Sequence, residues 1–391
     1  MLAIAELNCY IVDTLITSQM TTNSTNKESK ERLQSLDVLR GFDMFWIMGG
    51  GVLFGSLAKI ADWNWLNALA EQLHHVDWNG FRAWDLIFPL FMFIAGVAIP
   101  YAITSKRDKG VPKSNLVKKV FRRMILLVAF GLVYNGVLKN GFPEMRAASV
   151  LAQIGISYFF ASLIVIYTDS ITPRFYWLAG ILAGIAILQL FVPVPGFGAG
   201  VITPEGSINA WIDQHFLPGR LIYGTYDPEG VLCIISATSV TLMGTFAGNI
   251  LRRKEFSPEK KALILLISGM SLVIVAVALS PVYPIIKKIW TVPFNLLNAG
   301  ISFLLLSLFY YIIDVKKWWH RTLFFRVIGL NSITIYLGRR IIDFNHTSEF
   351  LLGWLSKPAA GFGPVIIVTG VIITEWLFLY YLYKNKIFLR V

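Results

Sequence analysis

Charge is what this chain has least of. Only 15% of its 391 residues are Asp, Glu, Lys or Arg, against 55% that are hydrophobic. A water-soluble domain carries about 25% charged residues. A globule this apolar cannot clothe its surface in polar groups, which excludes an ordinary soluble enzyme and sets lipid against much of the fold. Cysteine is nearly missing. Cys9 and Cys233 stand alone, without a CxxC or a metal-ligand neighbour, so neither a disulfide framework nor a zinc or other metal site is expected. Histidine is scarce, five in all. The chain has no Walker loop, no Rossmann fingerprint and no Ser-His-Asp elbow. It shows no internal repeat and no second soluble domain. Its start has no basic n-region and carries Glu6 and Asp13 in its first apolar stretch, which does not read as a signal peptide. Residues 20–34 are polar and expected to be disordered, and Met20 offers an alternative start.

Apolar runs are what the chain has in quantity. A bilayer-crossing helix needs about 20 mainly apolar residues. Ten stretches qualify, at 36–58, 84–104, 120–138, 148–167, 174–192, 231–251, 262–280, 293–314, 323–342 and 364–383. Residues 346–357 add a short interfacial segment. Aromatics make up 14% of the chain, and Trp63, Trp65, Trp78, Trp318 and Trp319 lie near span ends, as amphipathic rings do at headgroup depth. The expected fold is all-α, a polytopic transmembrane helical bundle over 35–391 behind a polar segment, 1–34. The net charge of +12 would suit nucleic acid, yet the basic residues sit in short loops between apolar runs. With the N-terminus in the cytosol, the inner segments hold 25 of the 35 Lys and Arg, as the positive-inside rule requires. Ten spans then return the C-terminus to the cytosol, and no nucleic-acid partner is needed to explain the charge. The outer segments 59–83 and 193–230 are the longest, and long loops in compact proteins often carry function.

Few residues on this framework can do chemistry, and each has a structural reading beside the functional one. His74 and His75 precede the second span. A histidine can act as a general base near neutral pH, or simply cap a helix and meet water. Asp37, Arg40 and Asp43 recur at i, i+3 and i+6 on the first span, close to one face. Ionisable groups inside a span usually pair or face the interior, so these form either an ion pair or the polar wall of a ligand cavity. Gly49-Gly50-Gly51 follows and permits close backbone approach. Tyr226-Asp227-Pro228-Glu229-Gly230 reads as a helix start, with Asp227 as N-cap and Pro228 at N1. Its two carboxylates would also stand at the outer mouth, within reach of sugar hydroxyls or an amine. Lys118, Lys119, Arg122 and Arg123 open the third span, either for topology and anionic lipid or to capture a phosphorylated cytosolic cofactor. Asn331, Tyr336, Arg339 and Arg340 occupy the ninth. Two arginines near its outer end call for a partner carboxylate, Asp343 being the local one, or for a ligand.

Taken together the segments resemble the heparan-α-glucosaminide N-acetyltransferase family of transmembrane acyltransferases, in its bacterial branch. The residues that carry the resemblance begin with Ser35-Leu36-Asp37-Val38-Leu39-Arg40-Gly41 and His75-Val76-Asp77-Trp78-Asn79-Gly80. Trp84-Asp85-Leu86-Ile87-Phe88-Pro89-Leu90-Phe91 and Phe93-Ile94-Ala95-Gly96 follow, then Tyr226 to Gly230, Lys288-Ile289-Trp290-Thr291 and Gly329-Leu330-Asn331-Ser332. Their order and spacing hold over 32–340. The resemblance implies an acetyl group taken from cytosolic acetyl-CoA and given to a sugar on the far side, with glucosamine amine as the acceptor of the best-known relative. The family's essential histidine matches His75, which becomes the expected catalytic base. Asp37, Arg40, Asp43, Asn79, Asp85, Asp227, Glu229, Asn331 and Arg339 become the expected acceptor site. Lys118, Arg122 and Arg123 become the expected hold on the phosphates of acetyl-CoA. A homodimer and a bacterial inner membrane are compatible with this reading.

A thioester is already activated, so the protein must orient it, deprotonate the acceptor and stabilise an oxyanion. Direct transfer with His75 as base is the simpler route, and an acetyl-histidine intermediate is its rival. One departure stands out. The family commonly carries an asparagine just before the glycines of the first span, and here that place holds Trp46-Ile47-Met48. Asn79 or Asp85 could take over its help to the histidine, and N- and O-acetylation both stay open. The competing reading is a sugar or glycan transporter, which ten spans, intramembrane charges and long outer segments would also serve.

Overall fold

The structure, a computed structural model, describes residues 33–142 and 144–389. Most of the expected disordered segment, with the choice between Met1 and Met20, lies outside the described residues. Among the described residues every regular element is helical. In chain order the principal ones are α1 (Gln34–Ala61), α2 (Asn64–Gln72), α3 (Ala83–Arg107), α4 (Lys113–Tyr134), α5 (Val150–Tyr167) and α6 (Ile171–Phe191). They continue with α7 (Ile208–Phe216), α8 (Val231–Arg252), α9 (Pro258–Leu279) and α10 (Val292–Val315). The chain closes with α11 (Leu323–Leu330), α12 (Ser332–Ile341), α13 (Phe344–Ser356) and α14 (Gly363–Lys384).

Among the described residues, eight of these helices are long and apolar enough to cross a membrane: α1, α3, α5, α6, α8, α9, α10 and α14. The other two expected spans differ for physical reasons. Helix α4 has the length, but Lys118, Lys119, Arg122 and Arg123 charge its first half. The expected ninth span is not one helix. Asn331 breaks it, and the pieces run in opposite directions beside α1. Gly41 of α1 lies against the Phe325 backbone and Gly329 against that of Asp37, so α11 is antiparallel to α1. Helix α12 then runs parallel to α1, with Arg339 bonded to the Ile47 carbonyl. After a second break at Ile342, α13 continues and packs antiparallel to α14, Ser348 donating to the Ile367 carbonyl at 2.7 Å. The segment expected to be interfacial is thus the continuation of the ninth run.

Close packing fixes where the long helices stand. Between α3 and α8 the backbones touch: a Cβ at Gly96 would fall 2.0 Å from the Thr241 carbonyl oxygen, and one at Gly244 2.2 Å from that of Phe93. Small residues are how helices approach this closely where no hydrophobic effect drives them together. The seam locks α3, and with it the residues at its two ends. Helix α1 is interrupted by a π turn over Trp46–Gly50, where Gly49 takes φ 131°, a conformation that needs glycine.

Candidate active site

Residues 73–85 form an irregular bridge from α2 into α3, and it hangs His75 beside the first turn of α3. The bridge is tied at several points. Arg82 bonds Glu71 at 2.7 Å and reaches the His75 carbonyl at 3.4 Å. Gly80, at φ 120°, donates its N–H to the Ile285 carbonyl at 2.9 Å. The Trp78 indole donates to the Ile202 carbonyl at 2.9 Å. Three loops, around 73–85, 193–230 and 280–291, therefore meet at one end of the bundle.

Asp85 is the centre of that meeting. It is 1% exposed, and a buried carboxylate persists only when partners compensate the lost water. Its Oδ2 accepts the Arg82 N–H at 3.1 Å. Its Oδ1 meets His75 Nδ1 at 2.7 Å and Lys287 Nζ at 3.3 Å. The His75 side chain is 50% exposed. A carboxylate at Nδ1 assigns the proton to that nitrogen and leaves the Nε2 lone pair free, which is the tautomer a general base needs. Lys287 Nζ also lies 3.0 Å from Nδ1. Two donors cannot bond each other, so both aim at Oδ1 and their closeness follows from sharing it. Burial pushes the Lys287 ammonium pKa down, against the attraction of Asp85. Trp84 stands edge-on to the imidazole, centroids 6.3 Å apart, and rests on Gly51, where a Cβ would come within 2.7 Å of its ring. That is the close approach the glycine run permits.

A second cluster stands behind the first. Asp227 is fully buried and grips Arg146 with both oxygens, Nε at 2.7 Å and Nη2 at 2.6 Å. Glu229 shares that Nη2. Burial pushes the Glu229 carboxyl up to about 7 while Arg146 pulls it down. Asp213, near the end of α7, accepts the N–H groups of Asp227 at 3.1 Å and Val231 at 2.9 Å, and burial pushes it up to about 6. The expected cap is corrected here. Helix α8 begins at Val231 with Gly230 as N-cap; Asp213 holds its first N–H, while Asp227 turns back on the Glu229 N–H at 3.1 Å. Trp290 joins the two clusters. Its ring lies on Phe88 at 5.6 Å, and its indole donates to the Pro228 carbonyl at 3.1 Å.

The other expected site residues lie elsewhere. Asn79 is exposed on the bridge, and Asp85 is the side chain that contacts His75. Asp37 and Arg40 pair at 3.6 Å, and Arg40 also reaches the Gly329 carbonyl at 3.4 Å. They and Asp43 stand on the part of α1 before the π turn. Asp37 is fourteen positions from Gly51, roughly 20 Å along a helix, so the structure does not bring them to His75. Asn331 is buried at the α11–α12 break and donates to the Ile387 carbonyl at 3.4 Å. Arg339 has Glu375 as its carboxylate, at 2.8 Å, whereas Asp343 caps α13 through the His346 N–H at 2.9 Å. Arg122 and Arg123, with Lys119 in place of Lys118, line a cavity of ≈290 Å³ beside Tyr158. The Arg123 guanidinium lies 4.1 Å from that ring, and its buried Nε has no hydrogen-bond partner among the described residues. Along the same α3–α5 seam, toward His75, lies an apolar cavity of ≈40 Å³ lined by Ile47, Ile87, Phe88, Phe91, Ile154 and Tyr336 among others. Of the Trp46–Met48 turn, Ile47 lines this cavity, and none of the three carries a side-chain amide.

Lys287 and Arg146 were not singled out from the sequence. One signal would have found both. The positive-inside rule has no use for a basic residue on the expected outer side, and these two stand there.

Comparison with known proteins shows what the chain is similar to. A family profile described as "Domain of unknown function (DUF5009)" matches residues 32–197, the stretch that holds His75 and Asp85. The heparan-alpha-glucosaminide N-acetyltransferase of Mus musculus is 25% identical over 422 aligned residues, covering 94% of this chain and 62% of its own length. That of Homo sapiens is 25% identical over 419, covering 92% and 60%. The chain resembles these acetyltransferases along nearly its whole length. It spans about three fifths of the length of the relatives. The resemblance read from the short motifs is thus found across the chain, and the long apolar helices agree with an integral membrane protein.

Proposed function

We propose that the protein is a transmembrane acetyltransferase that moves an acetyl group from cytosolic acetyl-CoA to an amino sugar or other glycan on the outer side of the membrane. The observation that carries the reading is the His75–Asp85 pair at 2.7 Å, a buried carboxylate holding a half-exposed imidazole with Nε2 open. His75 Nε2 takes the proton from the acceptor amine or hydroxyl as its lone pair adds to the thioester carbonyl, and returns it to the departing thiolate. Asp85 keeps the proton on Nδ1 and stabilises the imidazolium between those steps. Acetyl-CoA supplies an activated acyl group. The basic cavity at Lys119, Arg122 and Arg123 has the chemistry for its phosphates, and the α3–α5 seam runs from there toward His75. At ≈40 Å³ the apolar part of the seam is closed in this conformation, so the pantetheine arm enters only when side chains around Tyr336 give way. The acceptor approaches the exposed Nε2 from the three converging loops. Both termini lie in the cytosol, and the membrane is a bacterial inner membrane.

The test is transfer from isotopically labelled acetyl-CoA to glucosamine and a panel of oligosaccharides, in detergent, beside the His75→Ala variant. Transfer by the unmodified protein, reduced at least ~100-fold in the variant while CoA still binds, supports the reading. Folded protein that neither binds CoA nor transfers acetyl groups sinks it and favours a glycan transporter.

A further inference from the structure

A cavity of ≈660 Å³ lies at the other end of the bundle from His75, between the ends of α3, α6 and α8. Arg107, Arg174, Arg252 and Arg253 line it, against Asp169 and Glu255. The ordinary account of basic residues at this end is topology, which asks only that they reach water. Arg174 does not reach bulk water: it is 3% exposed. Its Nε and Nη2 donate to Thr168, at 3.0 Å to the hydroxyl and 2.8 Å to the carbonyl, and its Nη1 makes no hydrogen bond among the described residues. Arg107 is fastened by the Val165 and Thr168 carbonyls at 3.0 and 2.9 Å as well as by Asp169 at 3.2 Å. Arg252 is paired with Asp108 at 3.2 Å, as Arg107 is with Asp169. Backbone carbonyls orient Arg174 but do not neutralise it, and with Arg253 and Lys254 against Glu255 the cavity keeps a net positive charge.

Two further features border the same space. Thr104 lines it and is 9% exposed, and its buried hydroxyl has no hydrogen-bond partner among the described residues. Helix α6, 21 residues long, begins here at Ile171, and its N-cap Ser170 makes no side-chain capping bond. Of the first turn, Ile171 and Thr172 carry N–H groups and Pro173 has none; N–H groups at a helix start attract an anion, and guanidiniums grip phosphate oxygens in a fork. The cavity shares no lining residue with the one assigned to the phosphates of acetyl-CoA. The closed α3–α8 seam also cuts it off from His75.

We infer that this cavity is a second anion site, built for a phosphate group that contacts Arg107, Arg174, Arg252, the Thr104 hydroxyl and the N-terminus of α6. Two carriers share that chemistry, a soluble phosphate compound and the headgroup of an anionic phospholipid. Phe175, Tyr176 and Trp177 are exposed on the first turns of α6 beside the opening, where acyl chains would run.

The experiment uses the full chain and two probes. Inorganic pyrophosphate is titrated against protein in detergent at constant ionic strength, with thermal stability as the readout. Phosphatidylglycerol retention is measured by native mass spectrometry, with phosphatidylcholine as reference. The variants are Thr104→Val and Arg252→Gln, chosen because Arg174→Gln could fail to fold, and Arg122→Gln is the control at the other basic cavity. Saturable binding of either probe, weakened roughly tenfold in Arg252→Gln, as loss of one charge-assisted bond implies, and unchanged in Arg122→Gln, supports the site. The probe that responds identifies the carrier. Absence of saturable binding, binding that the three variants alter equally, or binding weakened in Arg122→Gln and unchanged in Arg252→Gln overturns the inference.

Discussion

At the residue scale the decisive atom is Asp85 Oδ1, which serves His75 and Lys287 at once. Lys287 is a positioning residue: it touches Asp85 and stands by Nδ1, away from the nitrogen that would meet substrate. Its charge opposes protonation of His75, and the Asp85 charge favours it. Other charged or titratable groups around His75 are Arg82 with Glu71, His74 and Asp77 on its own bridge, and Lys288 on the facing loop. Removing the Lys287 cation leaves Asp85 unopposed, so the imidazolium gains stability and the base is protonated at a higher pH. In Lys287→Met the acid limb of the kcat/KM profile therefore moves to higher pH, and in Lys287→Arg it stays near that of the parent. A pH–rate series on the acetyl-transfer assay measures this. A fall in rate with an unmoved acid limb would show that Lys287 only supports the fold. This part of the site was half legible. His75 and Asp85 are ten positions apart within quoted motifs, so a reading of one segment reaches both. Lys287 arrives from 212 positions away, and no local pattern announces it.

At the scale of elements, periodicity and run length show most of the helices because lipid demands a continuous apolar stretch and an internally satisfied backbone. They fail where the backbone leaves the helix but stays buried in protein. Asn331 lies in a stretch that reads as one apolar run, 323–342, and the reversal of α11 depends on Gly41 and Gly329 letting backbones meet. Hydropathy does not register such contacts. The same dependence on glycine sets a prediction for the α3–α8 seam. Gly244→Ala puts a Cβ where the Phe93 carbonyl oxygen already stands, 2.2 Å away, and overpacking of this kind costs roughly 1–3 kcal/mol. At Gly184 on α6 nothing lies within 4 Å of the added carbon, so Gly184→Ala is harmless. Thermal melts in detergent compare the two, with a clear drop expected for Gly244→Ala alone. Equal melting temperatures would mean that the seam relaxes without cost and does not hold α3 in register.

At the scale of the molecule the question is what counts as a crossing. Among the described residues the eight long apolar helices together with α4 make nine, an odd number that would leave Gln34 and Lys384 on opposite sides. The run α12–α13 makes the tenth if α11 is re-entrant, dipping beside α1 and returning at Asn331. Both the charge bias of the loops and the break at Asn331 then agree on an even count. Single cysteines in a Cys9→Ser background test this with a membrane-impermeant maleimide, since Cys233 is buried. Asp77→Cys, on the His75 bridge, labels on intact cells. Lys109→Cys and Lys386→Cys label only after permeabilisation. If Lys386→Cys labels together with Asp77→Cys, the count is odd, and α11 to α13 do not cross. The outcome bears on chemistry as well as topology. Acetyl-CoA and the proposed second phosphate site need the end that carries Arg122 and Arg174 to face the cytosol. An acceptor on the far side needs His75 opposite. One labelling experiment therefore decides whether donor and acceptor can meet across this bundle.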